Sequence, residues 1–181
     1  GRVLSGAPLI PALLTVQALA ASETLADKAG WLERACAGEL VTINLAAGSV
    51  TAEGDVLNGS LPAVADADLA SHVLVFAPGK AVLVPLDAAG VTVTERHLWD
   101  ESRRLFDVAL GNVAIDPALV VATGQASHDI ARHLQGELAL ALAADSLGGA
   151  TATLEMTVEY LKTRKQFDRP LAMFQALKHR V

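Results

Sequence analysis

A single cysteine among 181 residues excludes an internal disulfide. Cys36 reads as a small buried hydrophobe or as a reactive thiol, and the first is the commoner fate of a lone cysteine. A reducing cytoplasm is the simplest compartment for such a chain. Aromatic residues are also scarce, at 4% against 52% hydrophobic, so the core must be built from Ala, Val and Leu. Trp31 and Trp99 are expected to be packing residues. No uninterrupted apolar run reaches the roughly 18 residues of a membrane span. Glu137, Asp145 and Glu155 break the Ala-Leu-rich stretches, which read as buried helices of a soluble protein. The opening segment GRVLSGAPLI has neither the basic region nor the cleavage pattern of a signal peptide. It also lacks an initiator methionine, so the chain is expected to start inside a longer protein.

Several chemical signatures are missing too. There is no Gly-x-Gly-x-x-Gly, no phosphate loop ending in Gly-Lys-Ser/Thr and no nucleophile elbow around a serine. His128 and His133 stand five residues apart, a poor spacing for sharing a metal. His72 and His97 have no Cys or His near them and are expected at edges or on the surface. The net charge of −6 is unevenly spread. Residues 151–181 carry six basic side chains against three acidic, a local +3, and the remainder carries eight against seventeen, −9. A basic patch in an acidic chain suits a bound phosphate group, and the overall acidity argues against nucleic acid.

Residues 9–37 repeat apolar side chains at helical spacing, with breaks suggested at Ala21-Ser22 and Gly30, so two short helices are expected. From Leu40 to Thr123 the period shortens. Six to eight β-branched runs, most bounded by Gly, Pro, Asn or Asp, predict an antiparallel barrel or sandwich. Strands do not alternate with helices as a dinucleotide-binding fold requires. From Ala126 to Lys165 the helical period returns as one long stripe, from Ile130 through Leu134, Leu138, Leu147 and Leu154 to Leu161, with Ser127 as a candidate cap. So long a stripe implies helical neighbours. Gly148-Gly149 within it reads as a close helix crossing or as backbone beside a ligand.

The most specific stretch is Leu147 to Arg180. It reads as a helix ending in Tyr160, Arg164, Gln166 and Phe167, then a turn at Asp168-Arg169-Pro170. A second helix, Leu171 to His179, carries Phe174 and Gln175. Pro170 suits that helix's first position, where a missing N–H is no loss. Arg164 has two candidate roles: pairing with Glu159 or Asp168 at a capped helix end, or gripping phosphate oxygens with its planar fork. This spacing resembles the acyl-CoA dehydrogenase family, whose equivalent hairpin lies at a subunit interface against the ADP half of FAD. Leu32 to Glu39, Leu57-Asn-Gly-Ser-Leu and Ala65 to Val75 resemble further, less specific family segments.

The resemblance covers most of the chain and implies an α+β multidomain fold. Residues 1–39 would end an N-terminal helical domain, 40–125 form the β-barrel or sandwich middle domain, and 126–181 begin a C-terminal helical bundle with a helical hairpin. It implies flavin-dependent α,β-dehydrogenation of an acyl-CoA thioester. The partners it implies are electron-transfer flavoprotein or a similar acceptor and a dimer or tetramer of like or unlike chains, with no nucleic acid and no membrane. It assigns Arg164, Gln166, Phe167 and Gln175 to a neighbouring subunit's FAD, and Ser49 to the chain's own flavin loop. That loop, Asn44-Leu-Ala-Ala-Gly-Ser-Val, keeps Gly48 and Ser49 but lacks the family's acids, and no Trp follows Leu61-Pro62-Ala63-Val64. The family's carboxylate base lies past the position of Val181 in most members and near the start of the long helix in others. Glu137 stands near the second position but one residue out of register, about 100° on a helix. The catalytic base therefore stays unassigned, with Glu137 as a candidate and a solvated carboxylate as the alternative. The chain alone is expected to be inactive. The alternative function is a non-catalytic subunit that completes a partner's FAD site.

Overall fold

The structure, a computed structural model, describes residues 2, 6–45 and 48–180. Its contacts divide the chain into a unit of Gly6–Ala139 and a unit of Leu140–Val181 with Gly1–Ser5. The elements are α1 (Leu9–Ala21), α2 (Lys28–Cys36), β1 (Val41–Ile43), β2 (Ser49–Glu53), β3 (Val56–Ala65), β4 (His72–Ala77) and β5 (Lys80–Pro85). Then follow β6 (Val91–Arg96), β7 (Leu105–Ala114), β8 (Val120–Thr123), α3 (Gly124–Thr163), β9 (Lys165–Gln166), β10 (Arg169–Pro170) and α4 (Gln175–Lys178).

The β-branched runs between residues 40 and 123 form the expected strands, but these do not close into a barrel. They make two four-stranded sheets, ordered β1-β4-β5-β8 and β2-β3-β7-β6. Within them every pairing is antiparallel except β1 on β4. Val73, Val75, Val82 and Val84 from the first sheet share one core with Leu57, Leu61, Val108 and Val113 from the second. The two sheets thus form a sandwich. β2 alternates between buried and exposed residues, as a strand with one wet face should. β4 and β5 are instead buried in continuous runs, because helices cover their other face. There Leu74 and Leu83 pack with Leu14, Leu19, Trp31, Ile130 and Leu134.

Buried hydroxyls fasten α1 across this sheet. Thr15 donates to the Val41 carbonyl at 2.9 Å, and Ser22 donates to that of Val121 on the opposite edge strand. The break foreseen at Ala21-Ser22 is present, but the one at Gly30 is not. Asp27 caps α2 by accepting the Gly30 N–H at 3.2 Å, and a Cβ on Gly30 would collide with that carboxylate. Glycine there makes room for the cap. Three other expectations fail. Cys36 is exposed on the last turn of α2, Trp99 stands fully exposed between β6 and β7, and Ser127 is buried inside α3, which starts earlier at Gly124.

α3 runs unbroken through Gly148-Gly149. Ile130 and Leu134 are buried, whereas Leu140, Leu142, Leu147, Leu154, Met156 and Tyr160 are exposed. At about 100° per residue, Leu140, Leu147 and Leu154 fall on one line and Leu142, Met156 and Tyr160 on the opposite one. The single stripe of the sequence pattern is therefore two apolar faces.

His72 lies on neither an edge strand nor the surface. β4 is flanked by β1 and β5, and the ring meets Trp31 edge-on at 4.8 Å. Its Nδ1 is 3.0 Å from the Ser71 hydroxyl, which donates to Glu39 at 2.6 Å, and the Arg34 guanidinium lies over Trp31 at 3.6 Å. Burial pulls the His72 pKa below its ordinary 6.5, against the attraction of Glu39. The neutral ring is the folded form, so its contribution to stability is complete above about pH 6.5 and is lost as pH falls through the lowered folded value. Urea midpoints measured between about pH 8 and pH 5 should fall on the acid side, and His72→Phe should flatten that slope. A native profile with no slope in that range would contradict the burial effect.

Candidate functional site

The C-terminal unit ends in a short β-hairpin. After α3 closes, the Arg164 N–H donates to Tyr160 O at 2.9 Å and the Leu171 N–H returns to Arg164 O at 2.8 Å. Between them β9 and β10 pair antiparallel, Gln166 opposite Arg169. Phe167 and Asp168 make the two-residue turn, both left-handed at φ 51° and 60°. Positive φ at both positions matches the twist of such a hairpin. This corrects the expected helix–turn–helix. Pro170 is a strand residue with ψ 145°, ahead of a 3-10 turn at Leu171–Met173, and only Gln175–Lys178 is α-helical. The extended backbone at Pro170 keeps the chain from starting a helix there, and aspartate tolerates the left-handed turn better than most residues.

Phe167 projects from the turn with 87% of its surface exposed. It meets Phe174 edge-on at 6.3 Å, and the Arg169 guanidinium stacks over Phe174 at 4.1 Å. Gln166 Nε2 donates to Lys165 O at 2.9 Å. Lys162 takes Glu159 at 2.6 Å, so Arg164 does not. Neither Glu159 nor Asp168 pairs with Arg164, and its guanidinium has no hydrogen bond or ion pair among the described residues. Arg164, Gln166, Phe167 and Gln175 thus lie on one exposed hairpin segment.

The other candidates belong to the Gly6–Ala139 unit. Ser49 opens β2, exposed, its Oγ 3.5 Å from that of Ser60. The two strands approach closely here because position 59 lacks a side chain: φ is 134°, and a Cβ would collide with the Ser49 carbonyl. Ala46 and Ala47 of the expected flavin loop lie outside the described residues. Glu137 is half-buried on α3 and makes no hydrogen bond or ion pair among the described residues. No cluster of three or more metal-binding side chains occurs among the described residues, and no helix there is long and apolar enough to cross a membrane. Sequence reasoning missed the Arg169–Phe174 stack, whose partners meet across a chain reversal that carries no periodic signal.

Comparison with known proteins gives this geometry a family. Residues 130–181 match the acyl-CoA dehydrogenase C-terminal domain. Acyl-CoA dehydrogenase IpdE2 of Mycobacterium tuberculosis is 56% identical over 43 residues, 24% of this chain and 14% of that protein. The ChsE4-ChsE5 complex from Mycobacterium tuberculosis contains a chain of similar fold, with TM-score 0.84 and 28% identity, covering 99% of this chain and 52% of that one. A glutaryl-CoA dehydrogenase from Mycobacterium smegmatis in complex with FADH2 has the same fold, with TM-score 0.76 and 23% identity, covering 98% of this chain and 49% of that one. The chain belongs to the acyl-CoA dehydrogenase family. It spans about half the length of these solved relatives.

Because nothing among the described residues binds the Arg164 guanidinium, Arg164→Ala is expected to change unfolding free energy by no more than about 0.5 kcal/mol. Denaturant titration measures it. A loss of about 2 kcal/mol would identify a structural anchor instead.

Proposed function

We propose that the chain is part of a flavin-dependent acyl-CoA dehydrogenase, converting an acyl-CoA thioester to the 2-enoyl-CoA. The carrying observation is the exposed hairpin with a guanidinium that has no partner among the described residues. Its donor set fits the ADP part of FAD. Arg164 offers a fork to diphosphate oxygens, the Gln166 and Gln175 carboxamides add neutral donors, and Phe167 presents an apolar ring to a heterocycle. The FADH2 bound by the glutaryl-CoA dehydrogenase of similar fold supports this reading. Bound FAD supplies the hydride acceptor that no side chain provides. Ser49, exposed at the start of β2 with its hydroxyl beside that of Ser60, is assigned to the flavin of its own subunit. Glu137, half-buried and without a cation partner among the described residues, is the candidate for taking the α proton, and a carboxylate in that role must reach hydrogen-bond distance of the substrate carbon. In this reading residues 1–39, 40–125 and 126–181 are the end of a helical domain, the middle domain and the start of a helical bundle, and electrons leave to electron-transfer flavoprotein or a similar acceptor.

A second reading is a non-catalytic subunit that lends its hairpin to a partner's FAD. The acid-poor loop around Gly48-Ser49 favours it, as does the likeness to a chain of the two-component ChsE4-ChsE5 complex. Gel filtration with FAD separates the two. Flavin retained by the chain alone supports the dehydrogenase, and flavin retained only after a second chain is added supports the lending subunit. In whichever assembly holds flavin, Arg164→Lys should weaken FAD binding about tenfold, the worth of one charge-assisted hydrogen bond. Unchanged affinity would remove Arg164 from the site.

Two apolar faces on α3 cannot both stay in water, since a helix apolar all round is a buried one. We expect a dimer or tetramer at micromolar concentration by light scattering, with Leu147→Glu and Met156→Glu shifting it toward monomer. A clean monomer for the unaltered chain would rule out assembly through this helix.

A further inference from the structure

Strand β6 ends its sheet, with β7 on one side and no strand on the other. Its register against β7 runs unbroken from Val91 opposite Leu110 to Arg96 opposite Leu105, and just before it the Gly111 N–H donates to the Gly90 carbonyl at 2.8 Å. Alternate residues of an antiparallel strand bond to their neighbour, so Thr92, Thr94 and Arg96 face β7. Val93 and Glu95 direct their N–H and C=O to the open side instead. Val91, in the same phase, sends its N–H away from β7 to the Ala88 carbonyl at 3.1 Å. Free edges are usually blunted by proline, a bulge or a cover, and β6 has neither proline nor bulge.

The side chains of Val93 and Glu95 share the inner face of the strand and line a cavity of about 670 Å3 within the Gly6–Ala139 unit. Leu86 and Phe106 give it an apolar wall. Of its charged members, Asp68 is taken by Arg104 at 2.7 Å, while Asp87 and Glu95 have no ion pair among the described residues. Burial keeps the His72 ring on its wall neutral. The edge therefore offers backbone donors and acceptors beside a hollow that is apolar at Val93 and negative at Glu95.

A small cation would use only the carboxylates, and an apolar strand would bury the Glu95 charge without a partner. A second copy of β6 would bring two sets of Asp87 and Glu95 together, like charge against like. We propose that an extended basic segment of a partner protein adds to the free edge of β6. Its main chain pairs with Val93 and Glu95, and a lysine or arginine enters the cavity toward Asp87 and Glu95. Because side chains alternate, the residue two places along puts an apolar group beside Val93. An antiparallel segment thus reads Lys/Arg, any residue, then an apolar residue. The site goes beyond the flavin reading and uses none of its residues.

The probe is the fluorescently labelled peptide acetyl-Thr-Lys-Thr-Val-Thr-amide, titrated into the whole chain without flavin and followed by anisotropy. It should bind about tenfold more tightly than the same peptide with glutamate in place of lysine. Glu95→Lys should reverse that preference. Methylating the peptide's valine amide nitrogen removes a backbone donor and should weaken binding at least about tenfold, with the protein unaltered. If Glu95→Lys does not fold, the two peptide changes decide the matter. Equal affinity for the lysine and glutamate peptides, a preference that survives Glu95→Lys, undiminished binding of the methylated peptide, or no binding at millimolar peptide would each overturn the proposal. So would a peptide that dissociates an oligomer of this chain, because the edge would then belong to a second copy. Because no flavin is present, failure here leaves the hairpin's FAD role to its own test.

Discussion

The sheet β1-β4-β5-β8 has no face turned to water, and the rest of the Gly6–Ala139 unit is arranged to satisfy that condition. Val73, Leu74 and Val75 are consecutive and fully buried, which a two-faced strand permits only if both faces are covered. Burying one Val or Leu side chain is worth about 1.5–3 kcal/mol, so uncovering either face would cost several such contributions. The second sheet supplies one cover. The other is a layer of helices, with α1 fastened by Thr15 and Ser22 and the first turns of α3 inserting Ile130 and Leu134. The same enclosure holds His72 among Trp31, Ser71 and Glu39.

Much of this was legible beforehand, for local reasons. Strands announce themselves through β-branched runs cut by turn residues, and the runs at His72–Phe76 and Ala81–Pro85 are now β4 and β5. Closure was not legible. Whether two sheets join depends on pairing between edge strands distant in sequence, and β1 and β8 find no partner in the second sheet. Gly30 looked like a helix break because glycine is a poor helix former, but the deciding contact is with the Asp27 carboxylate folded back over it. The hairpin tip was hidden for two reasons: its strands are two residues long, and neither Phe nor Asp signals a left-handed turn as glycine does. Its side chains were legible through spacing alone. The open edge of β6 was not, since an unpaired strand becomes visible only once the sheet order is known.

The Leu140–Val181 unit has the opposite character. Its helical segment leaves leucines exposed on opposing sides, and the side chains of its hairpin pack only as one aromatic pair and one guanidinium stack among the described residues. Helix propensity alone barely sustains a segment of this length, and most helical stability in proteins comes from packing of an apolar face. The order of this unit is therefore tied to whatever covers those faces, whereas the β-rich unit carries its own core.

The strand connections also set the order of events on a nascent chain. β5 waits through β6 and β7 before β8 arrives to pair with its free edge. At about 5–20 residues per second, that edge stays open for seconds while Ala81–Val84, an unbroken apolar stretch, emerges into a crowded solution. An open apolar edge is a template for pairing with other chains, and proteins guard such edges with charge and proline. Lys80 stands at one end of this strand and Pro85 at the other, two gatekeepers for an edge that the finished fold conceals.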